Sequence, residues 1–322
     1  MHNRNFVAIA YISAVLAIAV MFSLSWDSYG GIDVDRYWDY SYVLDLGNTF
    51  YVKELVSWVL LQLVGLQFDR PHFVLGVGVY TLVASVLAVG PSRGVLLYAS
   101  FLSPFGILLQ FNVMRQGFAT VFIAGACLAL ARGRIGRSAV CSVLGVLSHN
   151  SALIPLAFVY GTYALSRLSM PWRMALISAT ILLIATVTQL GLSEQLLIAK
   201  ADSLALLMAD GLENFIYCIL ALSLCVALWL QKGEGDDLIV VCVGLALAII
   251  TLLVSTIAFS IPSWIMGRLA ISIVVVCTFL LLNNLLPVGR SISLKAAAAT
   301  SGIFLFAGAL ILMHPGALSM IG

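Results

Sequence analysis

The chain has 322 residues, 62% of them apolar and 9% charged, with a mean hydropathy of +1.10 and a formal net charge of +2. Soluble domains carry about a quarter of their residues as charged side chains, so this composition excludes an ordinary water-soluble domain. Apolar runs of about 20 residues, long enough to cross a hydrocarbon core as helix, recur from end to end, and one polytopic all-α domain spanning 1–322 is expected.

In chain order, Arg4 precedes an apolar run over 6–25. Ala17-Ile18-Ala19 looks like a small-residue cleavage site, but the run is about long enough to span, which favours an uncleaved first helix with its amino end inside. The loop that follows reads Gly30-Gly31-Ile32-Asp33-Val34-Asp35-Arg36-Tyr37-Trp38-Asp39-Tyr40-Ser41-Tyr42. Aromatic faces stack on sugar C–H groups and carboxylates accept from hydroxyls. Asp33, Asp35, Arg36, Tyr37, Trp38 and Tyr40 are therefore candidate carbohydrate contacts. Asp33 or Asp35 is alternatively a general base or an ion-pair partner of Arg36; the plainer reading is an interfacial aromatic belt beside an acidic loop.

Further spans are expected over 71–89, 94–111, 113–131, 138–148, 150–165, 174–190, 214–230, 238–259, 269–286 and 296–313, giving about eleven with the first. The stretch 51–67, broken by Lys53, Glu54, Gln62 and Gln67, is ambiguous. If it crosses, the basic joints at Arg93, Arg132/Arg134/Arg137, Arg167/Arg173, Lys232 and Arg290/Lys295 all fall outside, against the positive-inside bias. If it lies along the outer interface as an amphipathic helix, those cations face the cytoplasm, and the outer loops are about 26–70, 191–213 and 260–268. The second arrangement is the expected one. The joint Arg132-Gly133-Arg134-Ile135-Gly136-Arg137 reads as a topology anchor rather than a nucleic-acid patch. Residues 192–208 carry Glu194, Gln195, Lys200, Asp202 and Ser203 among leucines and read as an interfacial helix that shields the cavity or guides acceptor lipid, or as an ordinary amphipathic connector.

Two polar islands interrupt this apolar background, Asn112-Val113-Met114-Arg115-Gln116 and Ser148-His149-Asn150-Ser151. An ionisable residue inside a membrane segment marks a working site by default. Both islands fall at outer hairpin tips in the expected topology. Arg115 starts a helix, where backbone donors and guanidinium together suit a phosphate or pyrophosphate. Arg268 opens the span 269–286 in the same way, after Ile261-Pro262-Ser263-Trp264, and the two arginines form a candidate anion clamp. Snorkelling to lipid headgroups is the ordinary alternative. Asn150 and Ser151 can cap the following helix, and His149 can take a proton from a hydroxyl nucleophile or serve simply as hydrogen-bonded structure.

Phosphate-loop, zinc-protease and calcium-loop motifs do not occur in the sequence, and Cys127, Cys141, Cys218, Cys225, Cys242 and Cys277 lie in apolar segments without C-x-x-C spacing, as buried small hydrophobes do. No metal or cofactor is expected.

Gly31-x-Asp33-x3-Tyr37, Asn112-x2-Arg115-Gln116-x2-Ala119, His149-Asn150-Ser151-Ala152-Leu153-Ile154 and Arg268 opening a late helix together resemble, in order and spacing, the EpsG/Wzy-type polysaccharide polymerases of bacterial inner membranes. The resemblance implies a glycosyltransferase joining undecaprenyl-pyrophosphate-linked repeat units at the periplasmic face, in O-antigen, capsule or exopolysaccharide synthesis. It also implies periplasmic interfacial helices and a core like that of GT-C glycosyltransferases and the O-antigen ligase. Its partners would be the lipid-linked glycans, membrane lipids and a chain-length regulator, with no nucleic acid. Combined with the reading of the residues, Arg115 and Arg268 would bind the donor pyrophosphate and His149 would deprotonate the acceptor for an inverting, metal-independent displacement. Asp33, Asp35, Arg36, Tyr37, Trp38, Tyr40, Asn112, Gln116 and Asn150 would contact substrate. The alternatives are a flippase or transporter for lipid-linked saccharides, a lipid-phosphosugar glycosyltransferase, or an acyltransferase.

Overall fold

A computed structural model describes residues 32–41, 52–101, 103–111, 113–169, 211–230, 236–259 and 263–285. The expected spans 6–25, 174–190 and 296–313, the connector 192–208 and Asn112 lie outside the described residues. The elements are α1 (Ile32–Ser41), α2 (Leu55–Gln67), a 3₁₀ turn (Arg70–His72), α3 (Phe73–Val89), α4 (Pro91–Phe101), α5 (Pro104–Phe111), α6 (Met114–Leu130), α7 (Ile135–Ser148), a second 3₁₀ turn (Asn150–Ala152), α8 (Leu153–Arg167), α9 (Gly211–Leu230), α10 (Asp236–Phe259) and α11 (Ser263–Leu285).

α6 and α11 form the centre. Every residue of α6 but Arg115 is buried, and α11 is enclosed on all sides from Leu269 to Leu281. A helix that is apolar around its whole circumference belongs inside a bundle. Between helices in lipid there is little hydrophobic drive, so small residues that let backbones approach carry the packing. Gly125 of α6 meets Ala88 of α3 and Cys141 of α7, where an added Cβ would lie 3.1 Å from each side chain. Gly244 of α10 packs on Thr162 and Val159 of α8, and the Thr162 hydroxyl donates to the Val240 carbonyl at 3.2 Å. Ser138 on α7 donates to the Ala126 carbonyl of α6 at 2.9 Å and bonds the Tyr160 hydroxyl of α8 at 2.6 Å. All six cysteines are buried and free, with Cys225 of α9 and Cys277 of α11 in sulfur contact at 3.6 Å. The outward faces carry Leu66, Val83, Leu87, Val140, Val143, Val226, Trp229, Ile250 and Val254, an apolar exterior suited to lipid.

The topology expected from hydropathy needs correction. Three described helices are long and apolar enough to cross a membrane, over Arg70–Val89, Asp237–Val254 and Met266–Asn284, far short of the eleven spans expected. The chain is a membrane-associated, multi-pass, all-α protein. Its other apolar helices are shorter, Leu55–Gln67, Met114–Leu130, Ile135–Ser148 and Asn214–Leu230 among them. Hydropathy registers burial without telling lipid from protein, and α6 owes its composition to neighbouring helices. The expected span 94–111 is two helices broken between Phe101 and Pro104. Proline at the first position of α5 has no N–H to continue α4, and Ser103 caps the new helix by accepting from the Gly106 N–H at 3.2 Å. Nor is α2 an amphipathic surface helix: Trp58, Leu61 and Val64 face the bundle while Val59, Leu63 and Leu66 face out, so both sides are apolar.

At the α4–α5 break a Cβ on Gly106 would stand 2.2 Å from Cα of Phe101. Gly106→Ala must displace backbone, and a loss of about 1–3 kcal/mol is expected from such overpacking. Unfolding by denaturant in mixed micelles measures it; a change under about 0.5 kcal/mol would mean that the break is slack.

Candidate functional site

The polar residues gather at one end of the bundle, around a carboxylate. Glu54 immediately precedes α2, is 7% exposed, and turns inward rather than toward solvent. Its carboxylate forms an ion pair with the Arg115 guanidinium in the first turn of α6. The other oxygen accepts the Asn150 N–H at 3.4 Å and lies 3.8 Å from Nδ1 of His149. Three chain segments far apart in sequence thus converge on one acid. The Ser57 hydroxyl donates to the Arg115 carbonyl at 3.3 Å and fixes α2 against α6.

An aromatic floor supports the pair. The Arg115 guanidinium carbon sits 5.6 Å from the Tyr37 ring centre and 5.1 Å from that of Trp58. Tyr37 and Trp58 contact each other at 6.2 Å, and beneath them Leu61, Val64, Phe73, Val77, Met114 and Phe118 form a small separate core. A guanidinium over aromatic faces gains about 0.5–2 kcal/mol per contact as water is excluded, so the site holds Arg115 charged in a largely dry setting.

His149 ends α7 in extended backbone, with φ −158° and ψ 128°. Its Nδ1 accepts the Ser151 N–H at 3.1 Å and lies 2.8 Å from the Ser151 hydroxyl. Accepting the amide leaves the ring proton on Nε2. The imidazole therefore caps the turn into α8, a task the sequence reading gives to Asn150 and Ser151, and the Nδ1 lone pair is engaged there.

Gln116, 2% exposed, donates from Nε2 to the Arg268 carbonyl at 2.8 Å and to the Ser272 hydroxyl at 2.9 Å. It acts as a clamp between α6 and α11 and brings the turns bearing Arg115 and Arg268 side by side. Arg268 does not open its helix: α11 begins at Ser263, so Arg268 lies past the free amide donors of that end. Gln116→Leu, which strips the clamp's donors, is expected to cost about 1–2 kcal/mol and to leave activity per folded molecule within about threefold of wild type. A large rise in KM instead would mean that Gln116 touches substrate.

The acidic loop is helical as α1. The side chains of Asp33, Asp35 and Arg36 lie outside the described residues. Trp38 meets Phe73 edge-on at 5.4 Å, and Tyr40 meets Trp58 edge-on at 6.2 Å while staying 46% exposed. Of the four aromatics, Tyr37 and Trp38 are engaged in packing and Tyr40 alone presents an open ring among the described side chains.

Glu54 is the site residue that sequence reasoning passed over, as one of four polar interruptions in 51–67. The available signal was a lone carboxylate directly before an apolar helix. Among the described residues no group of three or more His, Cys, Asp or Glu side chains is arranged to hold a metal ion.

Fold and site define a multi-pass helical membrane protein with a buried carboxylate–guanidinium pair, and an imidazole beside it, at one end of the bundle. No protein-family model matches the chain, and no similarity to a curated protein or a solved structure is found. With three candidate spans among the described residues in place of about eleven, this overturns the EpsG/Wzy resemblance and with it the periplasmic repeat-unit polymerase. The shared motifs are a few residues each at helix ends. Capping and snorkelling place Asn, Ser, Arg and His there in unrelated membrane proteins.

Proposed function

We propose that the chain is a membrane-embedded glycosyltransferase that moves a single sugar from a lipid-linked phosphosugar to an acceptor hydroxyl, with Glu54 as the proton acceptor and Arg115 as the phosphate-binding group. The supporting observation is the junction itself: one carboxylate, 7% exposed, held by the Arg115 ion pair and the Asn150 amide at the end of an apolar bundle. A guanidinium has five donors and can bind a phosphate while keeping a partner. When the lipid phosphate reaches Arg115, the carboxylate shares its cation and becomes available to a hydroxyl. The acceptor oxygen then forms its bond to the anomeric carbon as the bond from that carbon to the phosphate oxygen breaks. The hydroxyl proton passes to Glu54, and the lipid phosphate departs with its charge countered by Arg115. His149 holds the turn that carries the Asn150 amide.

The candidate span Arg70–Val89 packs against α6, with Phe73 and Val77 in the core beneath Arg115 and the Leu87 and Ala88 carbonyls held by Arg137, and α6 itself is about 25 Å long. The Glu54 junction lies at its start and Arg132 and Arg134 just past its end. By the positive-inside bias the arginine end faces the cytoplasm of the cell's inner membrane and the junction faces outward.

The test uses purified protein in nanodiscs with a radiolabelled polyprenyl-monophosphate sugar and an oligosaccharide-lipid acceptor. A single-sugar increment with release of polyprenyl phosphate is expected. Movement of labelled lipid-linked saccharide across proteoliposomes without bond formation would replace this reading with a transporter, and an acyl increment on the acceptor would replace it with an acyltransferase.

A further inference from the structure

At the opposite end of the bundle, two glycines in left-handed conformation, Gly90 with φ +91° and Gly133 with φ +67°, reverse the chain from α3 into α4 and from α6 into α7. These turns bring Arg93, Arg132, Arg134 and Arg137 together. Arg93 Nε and Arg132 Nη2 both donate to the Asn283 carboxamide oxygen of α11, at 3.2 and 3.4 Å. Arg137 Nη2 donates to the carbonyls of Leu87 and Ala88 at the end of α3, at 3.3 and 3.0 Å. Among the described residues Arg93, Arg134 and Arg137 take part in no salt bridge; the arginine–carboxylate bridges there are Arg115–Glu54 and Arg167–Asp237. Burial pulls the Arg93 guanidinium below its ordinary value, and repulsion from Arg134 and Arg137 lowers it further.

The cations also stand at the wrong helix ends. Arg93 lies in the first turn of α4 and Arg137 in the first turn of α7, where the helix dipole favours negative charge and no acidic residue is present. Arg134 precedes α7 and gives it no side-chain cap. Arg93, Arg134 and Arg137, at helix starts and without a carboxylate among the described residues, are placed to receive an anion. What adjoins it identifies the source: α3 exposes Val83 and Leu87, and α7 exposes Ile135, Val140 and Val143, with Leu87 at 73%. The carbonyls that Arg137 holds belong to the same stretch of α3, so the basic cluster and the apolar face are continuous.

We propose that Arg93, Arg134 and Arg137 bind the phosphate of an anionic phospholipid whose acyl chains lie along the exposed faces of α3 and α7. A headgroup phosphate would counter the three guanidinium charges, and acyl chains would cover side chains that water would not. A free phosphate ion would satisfy only the first of these needs.

Native mass spectrometry of the delipidated full chain in detergent tests this, titrating phosphatidylglycerol, phosphatidylcholine and inorganic phosphate. Phosphatidylglycerol is expected to bind about tenfold or more tighter than phosphatidylcholine, and each of Arg93→Gln, Arg134→Gln and Arg137→Gln to weaken it about fivefold. The triple variant loses the preference, while the matching triple Lys variant keeps most of it. Should the triple Gln variant not fold, the single variants carry the test. Equal affinity of the wild type for the two lipids overturns the proposal, as does a preference that survives all three substitutions. Complete displacement of phosphatidylglycerol by about 10 mM inorganic phosphate would assign the cluster to a free anion instead.

Discussion

Glu54→Gln is expected to lower kcat by about 10²–10⁴-fold, the usual contribution of a positioned acid–base group, while KM for the lipid-linked phosphosugar stays level or falls. The amide matches the carboxylate in volume and still accepts the Asn150 N–H, which reaches the carboxylate at 3.4 Å. It cannot take the hydroxyl proton, and it leaves Arg115 without a counter-charge. An unneutralised guanidinium binds phosphate more strongly, so binding and turnover should move apart. A merely structural Glu54 would predict a shared decline, with KM rising as kcat falls. Steady-state rates of sugar transfer in nanodiscs, with substrate affinity measured separately, decide the matter. A kcat within tenfold of wild type would remove Glu54 as the proton acceptor.

Arg115→Met is expected to be among the most destabilising single changes in the described bundle, at about 3 kcal/mol. Removing one partner of a buried ion pair costs roughly 3–5 kcal/mol, because the other charge is stranded. The lower end applies because the stranded Glu54 carboxylate still accepts the Asn150 N–H. Methionine fills the aliphatic volume over Tyr37 and Trp58, so loss of packing is a minor part. The double variant Glu54→Gln/Arg115→Met removes both charges and should recover most of the loss. A double-mutant cycle by chemical unfolding in mixed micelles gives the coupling, and additivity within about 0.5 kcal/mol would show that the pair is not coupled. Arg167→Ala is a contrasting control. Its bond to Asp237 is 2.6 Å long, but the arginine side chain is 58% exposed, and surface pairs of that kind contribute about 0–1 kcal/mol.

The two polar islands were visible as sequence because each breaks an apolar run, and the structure puts both at helix junctions. Arg115 stands in the first turn of α6 and His149 between α7 and α8. Their chemistry was less visible. His149 carries two readings, a base or hydrogen-bonded structure, and the Ser151 amide on Nδ1, two residues on, is the bond that the second one needs. Gln116 reads as a substrate contact because it adjoins Arg115, but its amide nitrogen is turned to another face of α6, toward Arg268 and Ser272. Neighbours in sequence on a helix point about 100° apart, so proximity along the chain was a poor guide to a shared site.

By itself, the sequence determined that the chain is helical, that it belongs with a membrane, and where its polar turns fall. Those properties follow from local composition: a backbone in lipid must satisfy itself, and a charge in an apolar run must lie at an end or inside a site. Only the tertiary structure decided which apolar helices face protein instead of lipid, that the stretch 94–111 is two helices, and that Glu54 meets Arg115 and Asn150 across separations of 61 and 96 residues. A residue's own run fixes how greasy its surroundings are, whereas its partner across the bundle depends on how distant helices pack, which no local window records.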